Sequence, residues 1–245
     1  MNMNRKLQIV YQEDEGNKEA IHWLYHEEER AMKDAGIITG IYPSDAATDL
    51  IYRGEVLTEE EYPKDPRFVN NVVQYSNYLR IFNWYHAIEE LTIESFFTDD
   101  LDNSVLEKIK ERGWHKAFIK DASKSLAYES IEKCIWPNTS LKEIKEGLSK
   151  HKIKGQYTIR KYLEPHFFDE EKRYWIINGN PYHSSGNIPD IVRMTANKLN
   201  KFGGRFYVID ATPKLIVEVN PGEPAVRHAD NPAEDFAKWL KSEFN

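Results

Sequence analysis

Near the C-terminal end, the run FYVIDATPKLIVEVNPG sets two apolar stretches on either side of Pro213, and no other segment constrains the fold as tightly. Residues 205–211 and 215–219 are rich in β-branched and aromatic side chains, and the proline between them cannot continue a ladder, so the segment reads as two adjacent strands. On the period-2 alternation of a strand, Glu218 and Asn220 project from one face, and Asp210 ends the strand before them. Three oxygen-bearing side chains can therefore converge at the border of a dry core formed by Val208, Ile209, Ile216, Val217 and Val219. Two carboxylates and an amide oxygen are hard ligands of the kind that magnesium takes, with waters and phosphate oxygens in its other positions. Two solvated strand ends with acids facing water would show the same letters.

Upstream, strand-like and helix-like runs alternate. Residues 7–11 read as a strand, and 19–34 as a helix carrying Ile21, Leu24, Tyr25, Glu28 and Met32, stopped at Gly36. Residues 37–42 and 49–53 read as strands, and Thr58 as the cap of a short helix over 59–62. Residues 69–90 carry Tyr75, Tyr78, Phe82, Trp84 and Tyr85 at spacings that cover a helix surface. This is core helix and connector, since a base-stacking platform needs interleaved Lys and Arg. Then come a helix over 103–112 closed by Gly113, a strand over 116–120, a helix over 141–151 and a strand over 156–163. A strand over 173–178 turns back at Asn178–Gly179, a dipeptide suited to positive φ, and helices follow over 190–200 and 232–244.

Composition removes several classes of function. A formal charge of −7 and a pI near 5.7 speak against a surface that neutralises many nucleic-acid phosphates. Cys134 is the only cysteine, so no intrachain disulfide can form, and it reads as a buried structural thiol in a reducing compartment. The N-terminal apolar stretch is too short for a signal peptide, and no run approaches a membrane span, which makes the cytoplasm the expected location. The eight histidines show no zinc-ligand spacing; His115, His166 and His183 read as structural or exposed. Ser184–Ser185–Gly186 lacks the strand-to-helix elbow of a serine hydrolase.

Three further motifs carry charge to strand ends. In HKAFIKDASKSL, Lys120 ends an apolar strand and Lys124 follows across a turn, so two ammonium groups can meet a polyphosphate, although surface charge gives the same pattern. In EEKRYWIINGN, Glu171 and Arg173 lie two apart, which lets Arg173 fork onto a phosphoryl or carboxylate group with Glu171 orienting it; an exposed ion pair is the alternative. In YTIRKYLEP, backbone groups near Tyr162 and Leu163 could read an adenine edge, with Arg160 facing phosphates or substrate.

Taken in order, a lysine-bearing strand, a hinge strand, an E-x-R strand, Asp and then Glu-x-Asn resemble the ATP-grasp family. DLIYRGEVLTEEEY, FIKDASKS and the E-x-R strand look like one clade of it, the one named for its characteristic arginine and lysine residues. The resemblance spans residues 49–220. It implies an α/β (α+β) architecture in which two subdomains grip ATP, over 91–155 and 156–245, preceded by a small α/β lobe over 1–90. It assigns Lys120, Lys124, Arg160, Tyr162, Leu163 and Glu171 to the nucleotide, and Asp210, Glu218 and Asn220 to magnesium. Arg173 and Lys124 take catalytic roles, as does Arg53 if it holds a substrate carboxylate rather than bridging lobes as a structural arginine. Lys161 stands where many such hinges carry an acid, and no glycine-rich loop follows Lys124. The activity implied is a ligase that uses ATP and Mg2+ to activate a small-molecule or peptide carboxylate as an acyl phosphate for attack by an amine. A nucleotide-binding protein without ligase activity, or a phosphotransferase on the same scaffold, are the alternatives.

Overall fold

The computed structural model describes residues 5–121, 131–150 and 156–244. The first segment builds a parallel sheet. Strand β1 (Leu7–Tyr11) is followed by a hairpin of β2 (Glu13–Asp14) and β3 (Asn17–Ile21), helix α1 (His26–Asp34), then β4 (Ile38–Gly40) and β5 (Asp49–Arg53). β1 lies between β4 and β5 and is buried along its whole length, which is why LQIVY reads as a continuous apolar run rather than an alternating one. The helix expected over 19–34 begins only at His26. Asp14 and Asn17 accept the Gly16 and Glu19 amides, and these side-chain turns fold 13–21 into a hairpin instead. The helix expected after Thr58 is a single turn, in which Tyr62 N–H donates to the Thr58 carbonyl and Glu61 receives the Thr58 amide.

Helices α2 (Val72–Leu79) and α3 (Ile81–Tyr85) carry the aromatic run into the core, where Tyr75, Tyr78, Trp84 and Tyr85 are all buried. An antiparallel sheet follows, made of β6 (Ser95–Thr98), β7 (Ala117–Lys120), β8 (Ile135–Trp136) and β9 (Tyr157–Lys161) in the order β6-β9-β7-β8, with α4 (Asn103–Glu111) and α5 (Leu141–Leu148) on one face. A Ser140–Glu143 capping box starts α5, and Cys134 is buried in the core beneath it.

The last sheet runs β11-β10-β12-β13. It comprises β10 (Lys172–Ile177), β11 (Asn180–Tyr182), β12 (Phe206–Ala211) and β13 (Ile216–Pro221), with α6 (Asp190–Leu199) and α7 (Ala233–Phe244) packed around it. The β10–β11 turn has positive φ at both Asn178 and Gly179, as a two-residue hairpin requires. One face buries Tyr174, Ile176, Tyr207 and Ile209 against α3 and α6. The other presents Trp175, Ile177, Phe206 and Val208 to β1, α1 and α7. Alternation continues on this second face beyond Trp175 and Val208, and there the residues turn polar, with Arg173 opposite Asp210. Among the described residues, no helix is long and apolar enough to cross a membrane.

Candidate active site

Two sheets supply the charged walls of a cavity of about 690 Å3. On the β6–β9 sheet, Phe118 stands opposite Arg160 and Lys120 opposite Thr158, which places Lys120 and Arg160 on one face, away from the α4–α5 core. On the other sheet, Arg173, Asp210 and Glu218 form a single lateral row across β10, β12 and β13. The ladder shifts register after Asp210, a bulge that brings Val217 to the cavity wall beside Glu218. Thr92 ties the two sheets together: its hydroxyl donates to the Ile216 carbonyl at 2.8 Å and accepts from Arg160 Nη2 at 3.3 Å.

The charges are paired across these walls. Lys120 Nζ bonds Glu218 Oε1. Burial alone would push the Glu218 carboxyl up, but Lys120, a hydrogen bond from Asn220 and the charge of Arg160 together hold it down at about 2. Arg173 forks onto Asp210 through Nε (2.8 Å) and Nη2 (2.7 Å) and donates from Nη1 to the Val226 carbonyl at 2.7 Å. Arg160 is 5 % exposed and lines the cavity, yet its Nε has no partner among the described residues. Burial pushes its guanidinium pKa down against the pull of Glu218 and Glu171. Glu171 also lines the cavity; burial, then the charges of Asp210 and Glu218, raise its carboxyl to about 7.

The structure corrects several expectations. Glu171 does not orient Arg173, because Asp210 stands directly opposite Arg173 in the ladder and occupies the fork. Asp210 is 3 % exposed and does not line the cavity. Tyr162 lines it, but its amide donates to the Lys116 carbonyl, whereas the Leu163 amide has no partner among the described residues. Arg53 cannot hold a substrate carboxylate. It is fully buried, forked onto Glu28 at 2.8 Å through Nε and Nη2, with Nη1 on the carbonyls of Gly222, Glu223 and Ala225. The Tyr25, Trp175 and Phe236 rings surround its guanidinium. Lys124 lies outside the described residues.

Sequence reading missed Thr92, whose role depends on a contact with Ile216, and the apolar walls Ile93, Phe118, Val217 and Phe168. It also missed Glu223, buried under the loop after β13, where Oε1 accepts from Tyr62 and Asn70 and Oε2 has no partner among the described residues. No local spacing marks any of them.

The residues expected to take magnesium have a suitable donor chemistry. Glu218 and Asn220 share the cavity wall, and Asp210 lies across the ladder from Glu218. The fork of Arg173 uses one lone pair on each Asp210 oxygen, so further acceptor sites remain. No group of three His, Cys, Asp or Glu side chains converges among the described residues. A cation that keeps waters and phosphate oxygens in its shell does not need one.

No family model and no curated protein matches the sequence. Solved structures do match the fold. D-cycloserine synthetase DcsG superposes with a TM-score of 0.63 at 12 % identity, over 98 % of this chain and 99 % of that one. The ATP-grasp ligase PsnB, complexed with a phosphomimetic variant of a minimal precursor, Mg and ADP, gives 0.58 at 10 % identity over 100 % and 99 %. D-alanyl-alanine synthetase A from Vibrio cholerae O1 gives 0.58 at 11 % identity over 99 % of each chain. Identities this low speak for architecture alone, and on architecture the likeness runs the full length of the chain: this protein has the ATP-grasp fold.

Proposed function

We propose that the chain is an ATP- and magnesium-dependent ligase that activates a carboxylate as an acyl phosphate and passes the acyl group to an amine. One observation carries this reading. Lys120 and Arg160 from one sheet face Arg173, Glu218 and Asn220 from another across a single cavity, and Arg160 is a buried cation whose Nε lacks a partner among the described residues. Burying a cation with an unmet donor costs free energy, and an anion in the cavity would offset that cost.

Ile93, Phe118 and Val217, with the Leu163 amide nearby, are the residues that would take the adenine, and Lys120 and Arg160 those that would hold the phosphates. Lys120 already holds a carboxylate oxygen of Glu218, and a phosphate oxygen is an equivalent acceptor. Glu218, Asn220 and Asp210 are the residues that would hold magnesium, whose contribution there is to neutralise charge on the phosphate oxygens. A substrate carboxylate oxygen attacks the γ-phosphorus and the bond to the β-phosphate oxygen breaks, releasing ADP. The amine nitrogen then attacks the carbonyl carbon, loses a proton and expels phosphate. Arg173, locked in place by Asp210 and the Val226 carbonyl, stabilises the charge that both steps develop. Asp210 is thus a positioning residue for Arg173 as well as a metal candidate.

The test is ADP release with magnesium and mixtures of amino acids and peptides, followed by product mass. A product whose mass is the sum of the carboxylate and amine components less one water supports ligation. A stable phosphorylated product would replace the ligase by a phosphotransferase, and no ADP release from any mixture would sink the reading.

A further inference from the structure

Among the described residues, the charged side chains that line the cavity come from its two sheet walls and the segments beside them: Lys120, Arg160, Lys161, Glu171, Arg173 and Glu218. The third wall differs. It is made by Val56, which follows β5, by Leu79 at the end of α2, by Pro221 at the end of β13, and by Pro224, Ala225 and Val226 in the loop after it. None of these six side chains carries a charge or a hydrogen-bonding group.

This wall is held rigidly from beneath. Arg53 Nη1 donates to the carbonyls of Gly222, Glu223 and Ala225 at 2.6, 3.0 and 2.8 Å. The Glu223 carboxylate is tied to Tyr62 and Asn70, and Val56 and Leu79 pack together with Tyr62 and Tyr75. Because the loop's polar backbone is turned toward Arg53, it offers the cavity hydrocarbon. The wall also abuts the reactive end, since the Val226 carbonyl accepts from Arg173 Nη1.

From this we propose, building on the ligase reading above, that Val56, Leu79, Pro221, Pro224, Ala225 and Val226 form the specificity pocket for the carboxylate substrate, and that this substrate carries an aliphatic side chain. Its carboxylate lies at Arg173 and its side chain on the apolar wall. A charged side chain of the same length would lose its hydration there and gain no partner. Methylene-scale differences between aliphatic substrates are discriminated weakly, on the order of 10-fold to 100-fold, so the side chains of leucine, isoleucine and valine are all accepted.

Two measurements test this, one of them independent of turnover. In the first, the shift in melting temperature is read with magnesium, a non-hydrolysable ATP analogue and, in turn, leucine, valine, glutamate or lysine. Leucine and valine raise the melting temperature above that of the analogue alone, glutamate and lysine do not, and Val56→Asp abolishes the leucine shift while keeping the analogue's own shift. In the second, hydroxylamine serves as the amine, attacking the acyl phosphate carbon and releasing phosphate, and the hydroxamate is quantified; aliphatic amino acids exceed glutamate by roughly 100-fold in kcat/KM. Equal shifts with leucine and glutamate, or a leucine shift that survives Val56→Asp, overturn the pocket. Hydroxamate formed best from a charged amino acid overturns the pocket but leaves the ligase reading standing. Selective leucine binding without hydroxamate from any amino acid keeps the pocket and removes the ligase.

Discussion

Replacing Arg53 by methionine tests how β5 is locked to α1 and to the loop after β13. The Arg53–Glu28 pair is almost wholly out of solvent, with side-chain exposures of 1 % and 3 %. Burial would lower the arginine's pKa, but the Glu28 charge and hydrogen bonds outweigh it and raise it. Breaking a buried pair by removing one partner costs about 3–5 kcal/mol, because a charge is left without compensation. Arg227 Nε, 3.4 Å from Glu28, offsets part of that cost, whereas the three loop carbonyls stripped of Nη1 add about 1 kcal/mol or more each if water does not reach them. Methionine keeps much of the packing against Trp175 and Phe236, so the net loss is at least about 4 kcal/mol, a large share of the roughly 5–15 kcal/mol that holds a domain together. Urea unfolding followed by tryptophan fluorescence measures it. Adding Glu28→Leu to Arg53→Met should recover the part of the loss that comes from the stranded carboxylate, since an apolar pair has no charge to strand, while the three carbonyls stay unpaired. If Arg53→Met falls within about 1 kcal/mol of wild type, or the double variant is no more stable than the single one, the pair does not do what its burial implies.

Glu223 makes stability depend on pH. Its carboxyl is raised to about 7 chiefly by burial, so the folded chain retains a proton that the unfolded chain sheds above the ordinary 4.5, and stability falls as pH climbs from 4.5 to 7. Glu223→Gln removes that penalty: its advantage over wild type should grow by about 3 kcal/mol between pH 5 and pH 8 in denaturant titrations, and a flat difference would exclude the effect. Lys120→Gln takes a cation from the phosphates and leaves Glu218 without its partner, so kcat/KM for ATP should drop by roughly 100-fold or more, read as ADP release; a change under threefold would remove Lys120 from the phosphate site. At Gly222, an added Cβ would come within 2.6 Å of the buried Phe206 ring, and Gly222→Ala should cost about 1–3 kcal/mol in thermal unfolding.

The strands were legible where their chemistry is local. β5 has the bounds read from its residues, and the turn at Asn178–Gly179 falls where two residues tolerant of positive φ stand between apolar runs. The hairpin at 13–21 was misread because Ile21, Leu24 and Tyr25 match a helical spacing. The competing signal, Asp14 and Asn17 around Gly16, is weaker in periodicity but decisive in hydrogen bonding. Arg53 shows the opposite limit. Its partners lie 25 and about 170 positions away, so nothing near it distinguishes a substrate arginine from a core one, and only its 0 % exposure does.

The site follows the same division between face and partner. Period-2 alternation is enough to place Glu171 with Arg173, and Glu218 with Asn220, on one face each. Which of those charges meet is a property of register, and register comes from long-range pairing that a bulge can shift by a residue. Arg173 is opposite Asp210, so the residue expected to hold metal is also the residue that aims the arginine, and Glu171, spared that task, is left in a buried cavity beside two other carboxylates. A single substitution at Asp210 would therefore disturb Arg173 and the proposed metal position together. Loss of activity in Asp210→Ala cannot by itself assign Asp210 to magnesium: Asp210→Asn, which keeps an oxygen for Arg173 but lowers the charge, has to be compared for magnesium dependence and ATP affinity separately.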